Sequence, residues 1–231
     1  MDVIDFHSHV LPGIDDGSRN LDTTAGMLGM CYDNGVKMMI ATPHFYAEHD
    51  RIEVFLERRQ KAYEQVMSLQ LERSPKLRLG AEVAYFKGIS KAEKIPLLTI
   101  QDTDIMLLEM PFYTWDKSVI TEVKELIEKR HLRLIIAHLE RYIKLSGNKS
   151  AVADLLELPV IIQINAGSLL DWKQRGALLK LFKTGKAQLL GSDCHGMNHR
   201  PPNLWLGREV IKKKLGDDVL KKIDEVGNGL F

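Results

Sequence analysis

Little in this chain points to secretion, membranes or nucleic acid. Its 231 residues include two cysteines, too few for a disulfide framework, and both are expected to stay reduced and unpaired in a cytoplasmic protein. No apolar run approaches a membrane span, and the N-terminus lacks the basic region and apolar stretch of a leader. An excess of one charge is missing too. With 32 basic and 31 acidic residues the net charge is +1, which gives no electrostatic case for nucleic acid, and Lys212-Lys213-Lys214 reads as a solvated helix face. There is no Pro/Gly-rich linker, low-complexity stretch or repeat to divide the chain, so a single domain over 1–231 is expected. A hydrophobic content of 45% suffices for one full core.

What the chain does have is a regular alternation. Apolar, branched runs occur at 2–6, 36–42, 77–83, 104–109, 132–138, 159–164 and 187–192, as strands buried on both faces would require. Helical patterns separate nearly all of them. The clearest spans 51–70, with Ile52, Phe55, Leu56, Tyr63 and Val66 on one stripe, Asp50 placed as N-cap and Glu53 three later as a capping box. Asp116 likewise precedes a helix carrying Ile120, Val123 and Ile127. About seven strand-then-helix units predict an α/β fold with a parallel sheet, closed or nearly closed into a barrel.

On that frame the polar residues fall at one end of the strands. His7 and His9 lie two apart at the close of the run 3–6, where a period of two aims both imidazoles to the same side. The turns Pro12-Gly13 and Asp15-Asp16-Gly17-Ser18 return one or two carboxylates toward the same mouth. His44 follows the second run, Glu82 ends the third, Glu109 the fourth and His138 the fifth, while Asp193 and His195 follow the last. In an α/β barrel these ends share one rim, so residues distant in sequence converge. Five histidines with two Asp and two Glu exceed what one ion takes, and two or three ions sharing a bridging carboxylate fit better. The imidazole and carboxylate mixture suits Mn, Fe or Zn without choosing among them. Clustered cations lower the pKa of a bridging water toward ~7 and stabilise charge on phosphoryl oxygens, which is hydrolytic chemistry.

The string DFHSHVLPGIDDGS, followed in order by ATPH, GAE, LLEM, AHLERY and GSDCH, resembles the polymerase-and-histidinol-phosphatase (PHP) superfamily. Within it, DDGS after the H-x-H, the AHLERY segment and RPP after the last His are similar to bacterial PHP-type tyrosine-protein phosphatases of capsule and exopolysaccharide loci. The resemblance spans residues 2 to about 205. It implies a distorted (β/α)7 barrel with a trinuclear centre, Mn foremost among the candidate ions, that dephosphorylates tyrosines of a cognate bacterial tyrosine kinase. Carried over by motif, His7, His9, Glu82 and Asp193 would hold the first ion. Glu82 would bridge to a second completed by Glu109 and His138, and Asp16, His44 and His195 would hold a third. Arg141 and Arg200 resemble the family's phosphate-gripping arginines, whose planar fork suits phosphate better than Lys does. Asp15 is the alternative to Asp16, and the family pattern ranks Asp16 first.

Other residues fall outside that set. His131 closes a basic helix end and reads as a surface group, while His49 and His199 lie in rim loops. Phe45-Tyr46, Phe112-Tyr113-Thr114-Trp115 and Trp172 follow strand ends and could frame a phosphotyrosine ring or simply anchor loops. Cys31, at helical spacing from Leu21, Ala25 and Leu28, reads as packing. Cys194 to Arg200 spells C-x5-R, the spacing of cysteine-dependent tyrosine phosphatases, but Pro201 disfavours an α conformation at Arg200. Two alternative readings remain: a small-molecule phosphatase acting, for example, on histidinol phosphate, and a metal-stabilised scaffold that binds a kinase or polymerase without turnover.

Overall fold

The computed structural model describes residues 1–231. Its strands are β1 (Val3–Ser8), β2 (Val36–Ala41), β3 (His44–Phe45), β4 (Lys76–Leu79), β5 (Glu82–Ala84), β6 (Ile105–Glu109), β7 (Arg133–Ile136), β8 (Ile161–Asn165) and β9 (Leu189–Gly191). They pair in the orders β1-β2-β4 and β3-β5-β6-β7-β8-β9, and every pairing is parallel. The α/β barrel expectation is met, with two of the expected strands broken. The run 36–42 stops at Ala41 and resumes as β3 after Thr42-Pro43, where proline has no N–H to give a ladder. The run 77–83 is cut at Gly80-Ala81 into β4 and β5. Pairing crosses both breaks through Gly80 N–H to the Ala41 carbonyl at 2.8 Å and Glu82 N–H to the Pro43 carbonyl at 3.0 Å. The two bent staves are the distortion in the barrel. Its first and last staves meet at the rim, where Asp193 N–H donates to the His7 carbonyl at 2.8 Å and His9 N–H to the Cys194 carbonyl at 3.0 Å.

Eight helices clothe the sheet: α1 (Leu21–Asp33), α2 (Ile52–Ser68), α3 (Lys117–Glu128), α4 (Leu139–Ile143), α5 (Lys149–Leu155), α6 (Trp172–Lys183), α7 (Leu204–Leu215) and α8 (Asp217–Asn228). Asp116 caps α3 as expected, its carboxylate accepting from Ser118 N and Val119 N, an arrangement that contributes about 1 kcal/mol. The capping box expected on α2 is not formed. Arg51 holds the cap position without a side-chain bond, because the Asp50 carboxylate is taken by Arg58 Nη1 at 3.0 Å and Glu53 by Lys94. A charge partner presented by tertiary structure has displaced the local cap.

Strand alternation divides the core in two. Met106, Leu108, Leu134 and Ile136 face outward to a large cluster shared with the helices, while Ile105, Leu107 and Ile135 face a smaller one inside the curl with Ile4, Phe6 and Ile40. The last residues of the chain close that inner cluster, with Leu230 in it and Phe231 stacked on Phe6 at 6.0 Å. Each fully buried side chain of this size contributes about 1.5–3 kcal/mol relative to exposure. Cys31 belongs to the outer cluster, as its helical spacing indicates, and both cysteines are free and buried.

Candidate metal centre

The strand ends bring all nine predicted ligands into one cluster. His7 Nε2 and His9 Nε2 lie 3.1 Å apart. Glu82 Oε2 stands 3.2 and 3.3 Å from them, and Asp193 Oδ1 3.6 and 3.5 Å. Glu82 Oε1 meets His138 Nε2 at 2.7 Å, and Glu109 Oε1 reaches the same nitrogen at 3.5 Å. On the other side Asp16 Oδ1 lies 3.6 Å from His44 Nε2 and 3.4 Å from His195 Nε2. Four groups have ligand atoms within 4.8 Å of one another: His9, Asp16, His44 and His195; His7, His9 and Glu82; His7, His138 and Asp193; and His44, Glu82 and Glu109. These groups share His7, His9, His44 and Glu82, each of which belongs to two of them, so the cluster is continuous.

Hydrogen bonds behind the imidazoles settle which nitrogens face inward. His9 Nδ1 lies 2.7 Å from Asp15 Oδ2, so Nδ1 carries the proton and the Nε2 lone pair turns to the centre. Gln163 Oε1 accepts from His138 N at 2.8 Å, which identifies it as the oxygen; His7 Nδ1, 3.3 Å away, must therefore donate to it. His195 Nδ1 donates to the Asp193 carbonyl at 3.0 Å, which leaves Nε2 as the nitrogen with the lone pair. Two inward lone pairs at 3.1 Å repel unless a cation or proton lies between them. Nitrogens each bound at roughly 2.0–2.1 Å to one ion stand about that far apart. Glu82 Oε2 and His44 Nδ1 are buried and 2.9 Å apart, yet neither makes a hydrogen bond. Orphaned buried polar atoms of this kind, together with the mixed imidazole and carboxylate set, fit metal ions.

The backbone is strained where the site needs it. His138, Asp193 and Arg200 have φ of 33°, 52° and 51°, and all three are non-glycine residues in the left-handed region. Two glycines allow close approach. A Cβ on Gly17 would collide with His9, and one on Gly191 would lie 2.6 Å from His7 Cβ and 2.8 Å from Gln163 Nε2.

The charges are set for cations. Although burial opposes ionisation, His7 and the neighbouring imidazoles hold Glu82 and Asp193 well below the usual carboxylate range. Burial, His9 and Arg200 depress His195 to about 4, which keeps it neutral. His138 behaves oppositely: burial disfavours its charge, but Glu109 and Glu82 outweigh burial and raise it to about 9. Before metal binds, His138 therefore keeps a proton up to that pH, and an ion must displace it. Titrating metal-free protein with Mn in weak buffer near pH ~7 should release at least one proton per chain, with release fading and affinity levelling off above about 9. Metal uptake without proton release would contradict this arrangement.

Arg141 and Arg200 converge on one atom, Asp193 Oδ2, which also accepts from Asn165 Nδ2 at 2.7 Å. Arg200 Nη1 lies 3.0 Å from His195 Nε2. Both guanidiniums are about one-third exposed, so each has a face toward solvent.

Several positioning residues were not evident in the sequence. Asp15 orients His9 and also accepts from His44 N at 3.0 Å, so it stands behind two ligands while Asp16 faces His44 and His195. Gln163 and Asn165, on a strand that supplies no ligand, link His7, His138 and Asp193 in one buried chain through the 2.9 Å Gln163 Nε2 to Asn165 Oδ1 bond. Their signal was present: two amides two apart in a buried apolar strand face the same way.

Among the remaining candidates, His49 is exposed and borders two cavities beside the centre, of about 360 and 250 Å³. His131 lies exposed between α3 and β7, at the opposite end of the strands, and His199 is exposed in the loop before α7. Phe45 and Trp115 are core residues, and Trp172 is 76% exposed and borders neither cavity. The C-x5-R pattern is accidental. Cys194 is fully buried in the outer cluster with its thiol pushed up by burial, and the helix after Arg200 starts only at Leu204.

An α/β barrel that gathers imidazoles and carboxylates at its strand ends defines a class of protein built around metal ions. Residues 3–228 match the family model described as Capsular polysaccharide synthesis, CpsB/CapC, and the chain belongs to that family. It is 28% identical to the tyrosine-protein phosphatase CpsB of Streptococcus pneumoniae, covering 96% of this chain and 94% of that protein. It is 27% identical to the tyrosine-protein phosphatase YwqE of Bacillus subtilis (strain 168), covering 94% and 87%. The fold is that of the solved structures of YwqE and CpsB, described as unique metal-dependent tyrosine phosphatases. The match has a TM-score of 0.85 at 23% identity over 99% of this chain and 94% of that one. No helix is long and apolar enough to cross a membrane.

Proposed function

We propose that the protein is a metal-dependent protein-tyrosine phosphatase acting in the cytoplasm on a phosphotyrosine protein, a bacterial tyrosine kinase that controls capsule or exopolysaccharide synthesis. The observation that carries this reading is the meeting of nine ligand-competent side chains with two arginines on a single carboxylate oxygen of the same rim. His7, His9, Glu82 and Asp193 would hold one ion, Glu82, Glu109 and His138 a second, and Asp16, His44 and His195 a third, with Mn preferred. Bound there, the ions would supply an acidified water and positive charge for phosphoryl oxygens. Arg141 and Arg200 would present donors on their solvent-facing sides to the equatorial oxygens of a phosphate, while Asp193 Oδ2 holds them from behind. Asp15 and Gln163 hold His9 and His7 each in one tautomer and Asn165 holds the Asp193 carboxylate, so little reorganisation of these groups accompanies the reaction. A phenolate leaves more readily than an alkoxide, so the reaction does not require a dedicated acid.

The test is phosphate release from a phosphotyrosyl peptide by protein loaded with Mn, Fe or Zn, or stripped of metal. Turnover should be highest with Mn and absent without metal. Arg200→Lys should lower it about tenfold with metal content unchanged, because a point charge replaces a bidentate fork. No release with any metal would reject the reading; tight phosphopeptide binding in that case would favour the scaffold alternative.

A further inference from the structure

Two aromatic rings stand on two of the candidate ligands. Tyr46 stacks on His44 with centroids 5.1 Å apart and planes at 28°, and Phe112 on His138 at 6.2 Å and 25°. The alternation of the short strand accounts for the first pair: Phe45 turns into the core against Phe55, so His44 and Tyr46 turn to the rim together. His44 and His138 approach Glu82 at its two different oxygens, Oε2 and Oε1. The two rings therefore rest on the imidazoles that flank that carboxylate, and neither is sealed off: Tyr46 is 38% and Phe112 53% exposed. Between them runs a groove of about 250 Å³ also lined by His49, Tyr85, Phe86 and Glu109. Its volume lies at the lower edge of the roughly 300–1,000 Å³ of sites that enclose a whole small molecule, and a single aromatic side chain fits it. Its walls are aromatic, and Glu109, a candidate ligand, borders it.

We propose that this groove is an aryl slot, with Tyr46 and Phe112 as walls that grip the ring of a phosphotyrosyl side chain and so set the preference for aryl over alkyl phosphate esters. The inference rests on the phosphatase reading above. A planar ring fills such a slot by offset or edge-on contact with both walls, whereas the short stem of a phosphoserine leaves them in water. The metal cluster and arginines treat every phosphate alike, and discrimination beyond the readier departure of a phenolate has to come from the part of the site that touches the leaving group.

The test is calorimetric binding of a peptide carrying phosphonomethyl-phenylalanine, a non-hydrolysable aryl analogue, to metal-loaded wild type, Tyr46→Leu, Phe112→Leu and the double variant, with inorganic phosphate in parallel. Each single change should weaken the aryl peptide about fivefold and the double about twentyfold or more, with phosphate affinity and metal content unchanged. In turnover, the ratio of kcat/KM for phosphotyrosyl over phosphoseryl peptide should collapse by a similar factor. Unchanged aryl affinity in the double variant would overturn the slot, as would equal loss of phosphate or metal, which would make the rings mere supports for His44 and His138. If wild type hydrolyses no phosphate ester, the phosphatase reading fails by itself while the phosphonate titration still decides whether an aryl group binds here.

Discussion

Replacing Glu82 with Ala or Gln is expected to empty at least one metal position and to lower phosphate release by about a thousandfold, the largest effect of any single substitution in this protein. Glu82 is fully buried, and imidazoles of His7, His9, His44 and His138 all lie within 3.3 Å of its two oxygens. No other carboxylate in the cluster meets so many. Glu109 reaches only His138, at 3.5 Å, so Glu109→Ala should cost less metal and less rate. Removing one partner from a buried charge network can destabilise a fold by about 3–5 kcal/mol, so Glu82→Gln, which keeps the shape and removes the charge, is the informative variant. Metal content by mass spectrometry, read beside a thermal melt, distinguishes loss of ions from loss of fold. A Glu82→Gln protein that keeps its full complement would show that the carboxylate does not bridge.

Six of the nine candidate ligands were legible because ligands at strand ends obey a one-dimensional rule: a polar, metal-competent residue where an apolar run stops. His7, His44, Glu82, Glu109, His138 and Asp193 all follow it, and the structure brings them within reach of one another. What the sequence did not disclose depends on partners far along the chain. Asp50 has every local attribute of an N-cap, and only the folded chain reveals that Arg58 takes its carboxylate. Asp15 and Asp16 are adjacent and chemically identical; only the folded chain sets Asp15 against His9 Nδ1 and turns Asp16 toward His44 and His195. Among the rim aromatics, Tyr46 and Phe112 border the site while Phe45 and Trp115 pack inward, a choice that no composition rule makes. The breaks at Thr42-Pro43 and Gly80-Ala81 carried a visible signal in their Pro and Gly, but the lateral step they introduce is a property of the sheet.

Exhaustive chelation should abolish activity, addition of Mn should restore it, and Cys194→Ser should retain most of it. The opposite pair of outcomes belongs to a cysteine-dependent phosphatase, whose C-x5-R spacing this chain happens to contain. That mechanism needs a thiolate at the mouth of a loop whose N–H groups wrap the phosphate, followed by an Arg that opens a helix. Here the Cys194 side chain is fully buried in the outer core, and burial, chiefly, holds its thiol well above the range in which a thiolate forms near neutral pH. Its backbone is already committed, since its carbonyl accepts from His9 N–H at 3.0 Å and its N–H lies 3.3 Å from Ser192 Oγ. Arg200, at φ 51°, is three residues short of the helix that starts at Leu204. The residues on either side of Cys194 are Asp193 and His195, whose side chains turn to the cluster while the thiol turns away. Serine preserves the volume of that buried position apart from the smaller oxygen and a hydroxyl in need of a partner, so a modest loss of thermal stability is expected beside near-normal turnover. Activity that survives removal of all metal yet disappears in Cys194→Ser would transfer the chemistry from the nine ligands to the thiol, and the metal reading would fall with it.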